Sequence, residues 1–299
     1  MRKMAKQLSR RSNETLWAAL FLLLPLCVYF TFCILPSLEA FFYSFFDYDG
    51  FSKKAEFVGL KNYINLFTKE RSFSIAFVNT ILYTLVVTVL QNVISLLIAL
   101  AIYRKSRVNN LFRLGFYLPV IFSAVAIGFT WSFIYDPNIG ALNTLLDLLG
   151  LRSWQHVWLS EKYISILAIA LVHVWWGTGS GMILYIAGLQ NASQELLESS
   201  ALDGCNKWQQ FWKITFPMLS PVIGTVVVLT TIGSFRTFEL VYVMTGGGAD
   251  NSSSVLALLS YKQAFSYNNV GYASAIAIVL VVIIGVLSVI QQKAFNSKE

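Results

Sequence analysis

The feature that most constrains this chain is a set of six long stretches without a charged side chain. Each is longer than the roughly 20 residues that a helix needs to cross the hydrocarbon core of a bilayer. The runs are too long and too continuously apolar for the alternating strands of a membrane barrel, so helix is the expected form. The six stretches are residues 15–38, 72–103, 114–135, 163–194, 214–235 and 263–292. We expect the fifth span to continue past Arg236 to about Met244.

The composition supports this membrane class. Hydrophobic residues make up 56% of the chain and charged residues only 12%, whereas soluble domains carry roughly 25% charged residues. We therefore predict an all-α membrane protein with six transmembrane helices in a single domain over residues 1–299. In that prediction, residues 1–14 form a basic N-terminal segment, 15–292 the six-span core and 293–299 a short tail.

The distribution of lysine and arginine predicts the orientation. Thirteen of these residues lie on the side of the N-terminus and eight on the other side. Cytoplasmic loops carry the excess of positive charge in membrane proteins, so both termini and the connection 194–217 are expected in the cytoplasm. The net charge of +7 is thereby explained by topology and by contact with the lipid bilayer, and no nucleic-acid partner is expected.

Patterns typical of an enzyme or a metal protein are missing from the sequence. The three cysteines lack the spacing of a metal or redox site. No Gly-x-x-x-x-Gly-Lys-Ser/Thr pattern and no Ser-His-Asp set occurs, and the glycines after Thr245 lack the lysine and the strand of a phosphate loop. We expect no bound cofactor and no catalysis by this chain. The first apolar stretch exceeds the roughly 7–15 residues of a signal-peptide core.

The connection 194–217 is the longest polar-rich interruption in the second half of the chain. Good helix formers predict a short helix up to residue 202, and Asp203-Gly204 breaks it. Asn206 is placed to cap a second short helix, with Gln209 three residues on. Pro217 is expected to end this helix and begin the next span. An ordinary loop with two amphipathic turns is the alternative interpretation.

Polar groups inside the spans are costly and therefore informative. Arg236 and Glu239 would share a face of a helix, either as a structural pair near the interface or as lining of a cavity for a polar solute. The fourth span offers an aromatic ring and two hydroxyls at Trp176, Thr178 and Ser180. The glycines among them are typical of close helix packing.

The sequence Glu198-Ser199-Ser200-Ala-Leu-Asp203-Gly204, followed by Phe211, Ile214, Pro217 and Pro221, resembles the EAA signature of permease subunits of ABC importers. Ser199, Ser200 and Cys205 stand where the signature has alanine. Three weaker patterns resemble the sugar-type members of that family. They are Phe-Val-Gly-x-x-Asn-Tyr at 57–63, Phe-Arg-x-x-Phe-Tyr-Leu-Pro at 112–119 and the glycine turn at 245–249.

The resemblance implies a role for the connection and a set of partners. In the family, this loop is a coupling helix that docks into a cytoplasmic ATPase, which implies coupling residues Glu195, Glu198, Ser199, Ser200, Asp203, Gly204, Phe211 and Pro217. The implied partners are a second homologous permease, two ATPase subunits that carry ATP and magnesium, and an extracytoplasmic solute-binding protein. The implied location is a bacterial or archaeal cell (inner) membrane.

The family also implies a solute, namely a sugar or a related polyol or oligosaccharide. Its pathway is expected on the spans that flank the coupling loop, which by segment offset gives Trp176, Thr178, Ser180, Phe235, Arg236 and Glu239. The alternative is a secondary transporter for a small polar solute, which would need coupling carboxylates or broken helices in the membrane. A membrane enzyme or assembly factor would need a catalytic cluster that the sequence lacks.

Overall fold

The computed structural model describes residues 17, 20–51, 55–191, 199–200 and 203–296. Helices dominate the described part, and a single ribbon of two short strands accompanies them. In chain order the elements are α1 Leu20–Tyr43, β1 Phe46–Asp47, β2 Glu56–Phe57, α2 Lys61–Thr68, α3 Arg71–Ile102, α4 Arg107–Ile121, α5 Ala124–Ile134, α6 Ala141–Leu148, α7 Ile164–Asn191, α8 Lys207–Phe235, α9 Glu239–Thr245, α10 Leu256–Phe265 and α11 Val270–Asn296.

Five helices of the described chain are long and apolar enough to cross a membrane, namely α1, α3, α7, α8 and α11. A sixth span is obtained if α4 and α5 are counted together, although they meet at a bend of 96°. The predicted third span is therefore not a straight helix. Ser123 causes the break, because it has an extended backbone and its Oγ accepts the N–H of Ala126 to start α5 afresh.

The fifth and sixth spans also differ from the prediction. The fifth was expected to run on to Met244, but α8 ends at Phe235 and the chain becomes helical again only at Glu239. The sixth was expected from residue 263, but α11 begins at Val270. Asn268 has a left-handed backbone with φ of 52°, which no helix can contain.

Among the described residues, strands occur only in the segment before α3. A surface helix was expected there, and α2 provides it, but β1 and β2 also pair as an antiparallel ribbon with Phe46 opposite Phe57. The N–H of Val58 donates to the Phe45 carbonyl and continues this pairing by one bond. Although each strand has only two residues, the ribbon connects the end of α1 to the start of α2 by hydrogen bonds.

Helix α3 is the centre of the bundle and packs against α7, α8 and α10. Polar side chains recur along it every three or four residues, which places them on one face. They bond to α7 and to the segment before α10. Asn79 Nδ2 donates to the Ser252 and Ser254 carbonyls of that segment, Gln91 Nε2 to the Gly177 carbonyl at 3.0 Å and Ser95 Oγ to the Thr178 carbonyl at 2.8 Å, and Asn92 Oδ1 accepts from Tyr185 Oη at 2.6 Å. We call this face the polar seam of α3.

Apolar clusters fill the bundle above and below the polar seam. One cluster, near the start of α7, contains Tyr83, Ile169 and Val241. Another, near the end of α7, contains Met182, Tyr185 and Leu219. Helix α1 takes little part, since none of its most apolar stretch is buried. That face of α1 is left for lipid or for another chain.

Two helices widen into a π-turn directly before a proline. In α1 the turn is Phe30–Ile34 with Pro36 after it, and in α8 it is Phe211–Thr215 with Pro217 after it. In each helix, the backbone N–H of the residue before the proline donates to the carbonyl five residues earlier. Leu35 donates to Phe30, and Phe216 donates to Phe211. The expectation that Pro217 ends a separate short helix is therefore wrong. Since proline lacks an N–H and its ring crowds the preceding turn, a wider turn lets the helix continue.

Candidate functional site

The connection between α7 and α8 is the first candidate site. Glu195 and Glu198 lie outside the described residues, whereas Ser199 and Ser200 are described and helical. Ser200 is buried, and its Oγ accepts a hydrogen bond from Gln210 Nε2 at 3.1 Å. This bond ties the residues before the break to the first turn of α8.

The predicted break and cap are present. The N–H of Asp203 donates to the Ser199 carbonyl and that of Cys205 to the Ser200 carbonyl, both at 3.0 Å. Gly204 has φ of 83°, so the chain turns through a backbone conformation that side chains disfavour. Asn206 and Gln209 then form a reciprocal capping box at the start of α8. The second short helix is not separate, however, because it continues into the fifth span.

An aromatic group follows the cap. Phe211 and Trp212 lie on the π-turn of α8, and Trp212 contacts both Trp208 and Phe216 with ring centroids 5.6 and 5.1 Å apart. Trp208 is 70% exposed. Pro217 is also exposed. The end of the bundle where α7 finishes and α8 begins thus presents large apolar side chains beside the Gly204 turn.

The second candidate site is the break between α8 and α9. Thr237 lies in the break and is buried, and its Oγ1 hydrogen bonds to Tyr83 Oη on α3 at 3.2 Å. The same Tyr83 hydroxyl bonds to His173 Nδ1 on α7 at 2.7 Å. Helices α3 and α7 and the break between α8 and α9 therefore meet at one buried hydroxyl. This arrangement holds the break in place and accounts for His173 as a satisfied core histidine.

Arg236 and Glu239 lie on either side of Thr237, and both are exposed. They are not paired, because the ion pairs among the described residues are Arg152–Asp147 and His156–Glu161. The helix break removes the shared face that the spacing predicted. Phe235 is 1% exposed and packs inward. The break therefore presents a cation and a carboxylate separately at the surface of an otherwise apolar helix.

Trp176 connects the bend between α4 and α5 to α7. Its Nε1 donates to the carbonyl of Phe122, the residue at which α4 ends, at 3.2 Å. Gly179 allows the contact, since a Cβ there would lie 2.4 Å from the Phe116 carbonyl oxygen of α4. Gly177 and Gly181 similarly face Gln91 and Ser95 of α3. These glycines serve helix packing, as predicted.

Thr178 and Ser180 differ in accessibility. Thr178 is buried, and its hydroxyl donates to the Val174 carbonyl one turn back. Ser180 is exposed and donates to the Gly177 carbonyl. Each hydroxyl keeps its acceptor lone pairs, but only that of Ser180 lies at the surface. Of the residues predicted for a solute pathway, Ser180, Arg236 and Glu239 are the exposed ones.

Our sequence analysis overlooked the polar seam of α3. The signal was present in the second apolar stretch, where Asn79, Thr80, Tyr83, Thr84, Thr88, Gln91, Asn92 and Ser95 recur at helical spacing. Such side chains rarely face lipid, so their spacing alone marks the buried face of the helix.

The described residues contain no group of three or more His, Cys, Asp or Glu placed to hold a metal ion. The polar groups at the break and at the connection can bind or position a polar molecule or a partner. In the part of each set that the structure describes, no nucleophile is paired with a base.

Comparison with known proteins identifies relatives along nearly the whole chain. Residues 91–298 match the family described as binding-protein-dependent transport system inner membrane component. The probable ABC transporter permease protein YurN of Bacillus subtilis is 37% identical over 92% of this chain and 94% of its own length. The multiple sugar-binding transport system permease protein MsmF of Streptococcus mutans is 32% identical over 95% of this chain and 97% of its own length.

The fold is also found among solved structures. A chain of a bacterial alginate ABC transporter, solved in complex with an alginate pentasaccharide-bound periplasmic protein, superposes with a TM-score of 0.80. The superposition covers 94% of each chain at 20% identity. At this identity the likeness concerns the fold alone.

Proposed function

The chain belongs to the family of binding-protein-dependent transport system inner membrane components and is a permease subunit of an ABC importer; from this we propose that it carries a sugar or a related polyol or oligosaccharide. The observation that carries the proposal is the close relationship to MsmF, a multiple sugar-binding transport permease, over 95% of the chain. The chain forms half of a pathway, and a second homologous permease supplies the other half.

The solute path in this proposal passes the break between α8 and α9 and the neighbouring face of α7. Arg236 and Glu239 are exposed and unpaired with each other, and lone charges are costly against lipid. A water-filled path accommodates both. Sugars match such a lining because their hydroxyls bond to charged groups and their C–H faces stack on rings such as that of Trp176.

The energy for transport comes from two cytoplasmic ATPase subunits that bind ATP and magnesium. The connection between α7 and α8 is the docking element in this proposal. Its support is the matching EAA pattern, the positive φ of Gly204 and the exposed aromatic group at Trp208 and Trp212. A solute-binding protein delivers the solute from the opposite side. In this proposal the protein lies in a bacterial or archaeal cell membrane, with both termini in the cytoplasm.

The orientation can be tested with topology reporters. Lys207 starts α8 and Asn251 follows α9, so the two positions lie beyond opposite ends of the fifth span. We expect a reporter fused after Asn251 to be active outside the cytoplasm and one fused after Lys207 to be active inside, because positive charge concentrates on the inner side. Alkaline phosphatase and green fluorescent protein fusions measure the two outcomes. A cytoplasmic signal after Asn251 would contradict the proposed topology.

Reconstitution tests the function itself. We expect vesicles with this permease, its partner permease and the ATPase subunits to accumulate radiolabelled oligosaccharide only when the solute-binding protein and ATP are both added. Vesicles that contain this chain alone should show no uptake, because the chain has no energy source of its own. Accumulation by the chain alone, driven by a proton or sodium gradient, would instead establish a secondary transporter.

A further inference from the structure

A polar cavity of about 320 Å³ lies at the end of the bundle opposite the α7–α8 connection. It opens between the β1–β2 ribbon, α2 and the turn between α10 and α11. Charged side chains of both signs surround it, together with amide groups: Asp47, Lys61, Lys69, Glu70, Asn65 and Gln263. Its volume falls at the lower end of the range for small ligand pockets, about 300–1,000 Å³. The cavity is therefore large enough for a long side chain.

The walls of the cavity are fixed by hydrogen bonds. Asn62 Nδ2 donates to the Ser44 and Phe46 carbonyls, each at 3.0 Å, and Tyr63 Oη donates to Ser44 Oγ at 2.7 Å. The N–H of Gly271 donates to the Tyr48 carbonyl at 3.0 Å and attaches the start of α11. The side chains of Asn62 and Tyr63 in the Phe-Val-Gly-x-x-Asn-Tyr segment thus bind the chain directly after α1 and fix the wall of the cavity.

The charged groups that line the cavity have no ion-pair partner among the residues that the structure describes. None of Asp47, Lys61, Lys69 and Glu70 belongs to an ion pair within the described chain. Three of these are exposed at the rim, whereas Glu70 is half-buried. Tyr272 is 7% exposed, and its hydroxyl neighbours Glu70 without a hydrogen bond of normal geometry to any described residue. The floor of the cavity therefore offers a carboxylate with a buried hydroxyl beside it.

We propose that this cavity is a socket for an arginine or lysine side chain of the solute-binding protein. This inference rests on the proposed function, which places the cavity outside the cytoplasm. A cationic side chain that enters the socket would pair with Glu70, while Tyr272 Oη and the amide of Gln263 supply further bonds. Lys61 and Lys69 at the rim would pair with acidic residues of the binding protein that surround its inserted cation.

The chemistry favours a protein side chain over a solute molecule. The cavity lies where the β1–β2 ribbon, α2 and α11 meet, away from the break at Arg236 where the proposed path runs. A carboxylate that loses water on docking is stabilised most by an opposite charge, which a cationic side chain supplies and a neutral sugar does not. Opposite charges at the rim and the floor also fix the register in which a partner docks.

The test is the affinity of the solute-loaded binding protein for the whole transporter in nanodiscs. We expect Glu70→Gln to raise the Kd about tenfold or more, because a partly desolvated charge loses its partner. The matched control is Glu56→Gln, which removes an exposed carboxylate from β2 outside the cavity; its Kd should change by less than about twofold. High salt should reduce the difference between wild type and Glu70→Gln.

Three outcomes would overturn the socket. Unchanged Kd in Glu70→Gln with normal uptake would reject the socket and leave the proposed function intact. Binding of oligosaccharide to the transporter without the binding protein, abolished by Glu70→Gln, would make the cavity a solute site instead. A wild-type transporter that binds no solute-binding protein would overturn the socket and the proposed function together. If Glu70→Gln fails to assemble, a charge-reversal experiment takes its place. Glu70→Arg is combined in turn with acidic substitutions of individual lysines and arginines on the surface of the binding protein. Recovery of the wild-type Kd in one combination supports the socket, and recovery in none rejects it.

Discussion

Replacing Gly204 with valine is expected to reduce uptake strongly while the membrane helices remain folded. Gly204 has φ of 83°, and a Cβ added there would meet no atom of the described residues within 4 Å. The substitution therefore acts through the backbone, at a cost of about 1–2 kcal/mol of strain in a left-handed conformation. That energy corresponds to roughly a 5–30-fold change in the population of the turn that positions α8 against the connection. Uptake and co-purification of the ATPase subunits measure the effect.

The chain offers a matched control for this experiment. Gly150 also has a positive φ, 74°, and open space around its Cβ position, but it follows α6 at the other end of the bundle. Gly150→Val should strain its turn equally and leave ATPase binding unchanged. Gly204→Asn should be milder than Gly204→Val, since asparagine tolerates positive φ better than a β-branched residue. Equal losses of ATPase binding in the two valine variants would show that the Gly204 turn has no special role.

Replacing Arg236 with alanine should impair uptake without preventing assembly of the complex. Arg236 is exposed at the break after α8 and is unpaired with Glu239. A hydrogen bond from a charged group to a solute contributes about 1.5–3 kcal/mol, so we expect the ratio kcat/KM for uptake to fall roughly tenfold or more. Arg236→Lys keeps the charge and should retain part of the activity, although it loses the two-pronged geometry of the guanidinium group.

The control for Arg236 is another arginine at a surface. Arg152 pairs with Asp147 in the segment after α6, and its side chain is 79% exposed. Exposed pairs contribute about 0–1 kcal/mol, so Arg152→Ala should transport like the wild type. Normal transport by Arg236→Ala would remove this residue from the pathway. A transporter that loses its partner permease in Arg236→Ala would indicate a structural role instead.

Most of the helical framework could be predicted because hydrocarbon imposes one simple rule on the sequence. A spanning helix must be long and free of charge, and the apolar stretches reveal both properties directly. The capping box at Asn206 and Gln209 was equally predictable, since it depends on residues three positions apart. Local patterns that depend on neighbours in sequence are the ones that sequence reasoning can recover.

The breaks within the spans could not be predicted in the same way. The bend at Ser123 lies inside the third apolar stretch and the interruption at Arg236–Phe238 directly follows the fifth, and contacts from Trp176 and Tyr83 on other helices hold them. The same applies to the candidate sites. Composition could point to Arg236 and Glu239, but the spacing suggested a pair, and only the break reveals that they are separate. Contacts between distant residues carry this information.

The polar seam of α3 has a consequence for how the protein is made. The partners of this helix are synthesised much later, because Gln91 bonds to a residue 86 positions ahead and Asn79 to one 175 positions ahead. A nascent chain that has released α3 into the bilayer therefore holds several amide and hydroxyl groups without their final partners, each at a cost in hydrocarbon. Until α7 and α10 have been synthesised, we expect α3 to stay in contact with the insertion machinery, which shields its polar face from lipid. A chain that stops before α7 presents its polar face to the lipid and to the proteases that survey the membrane.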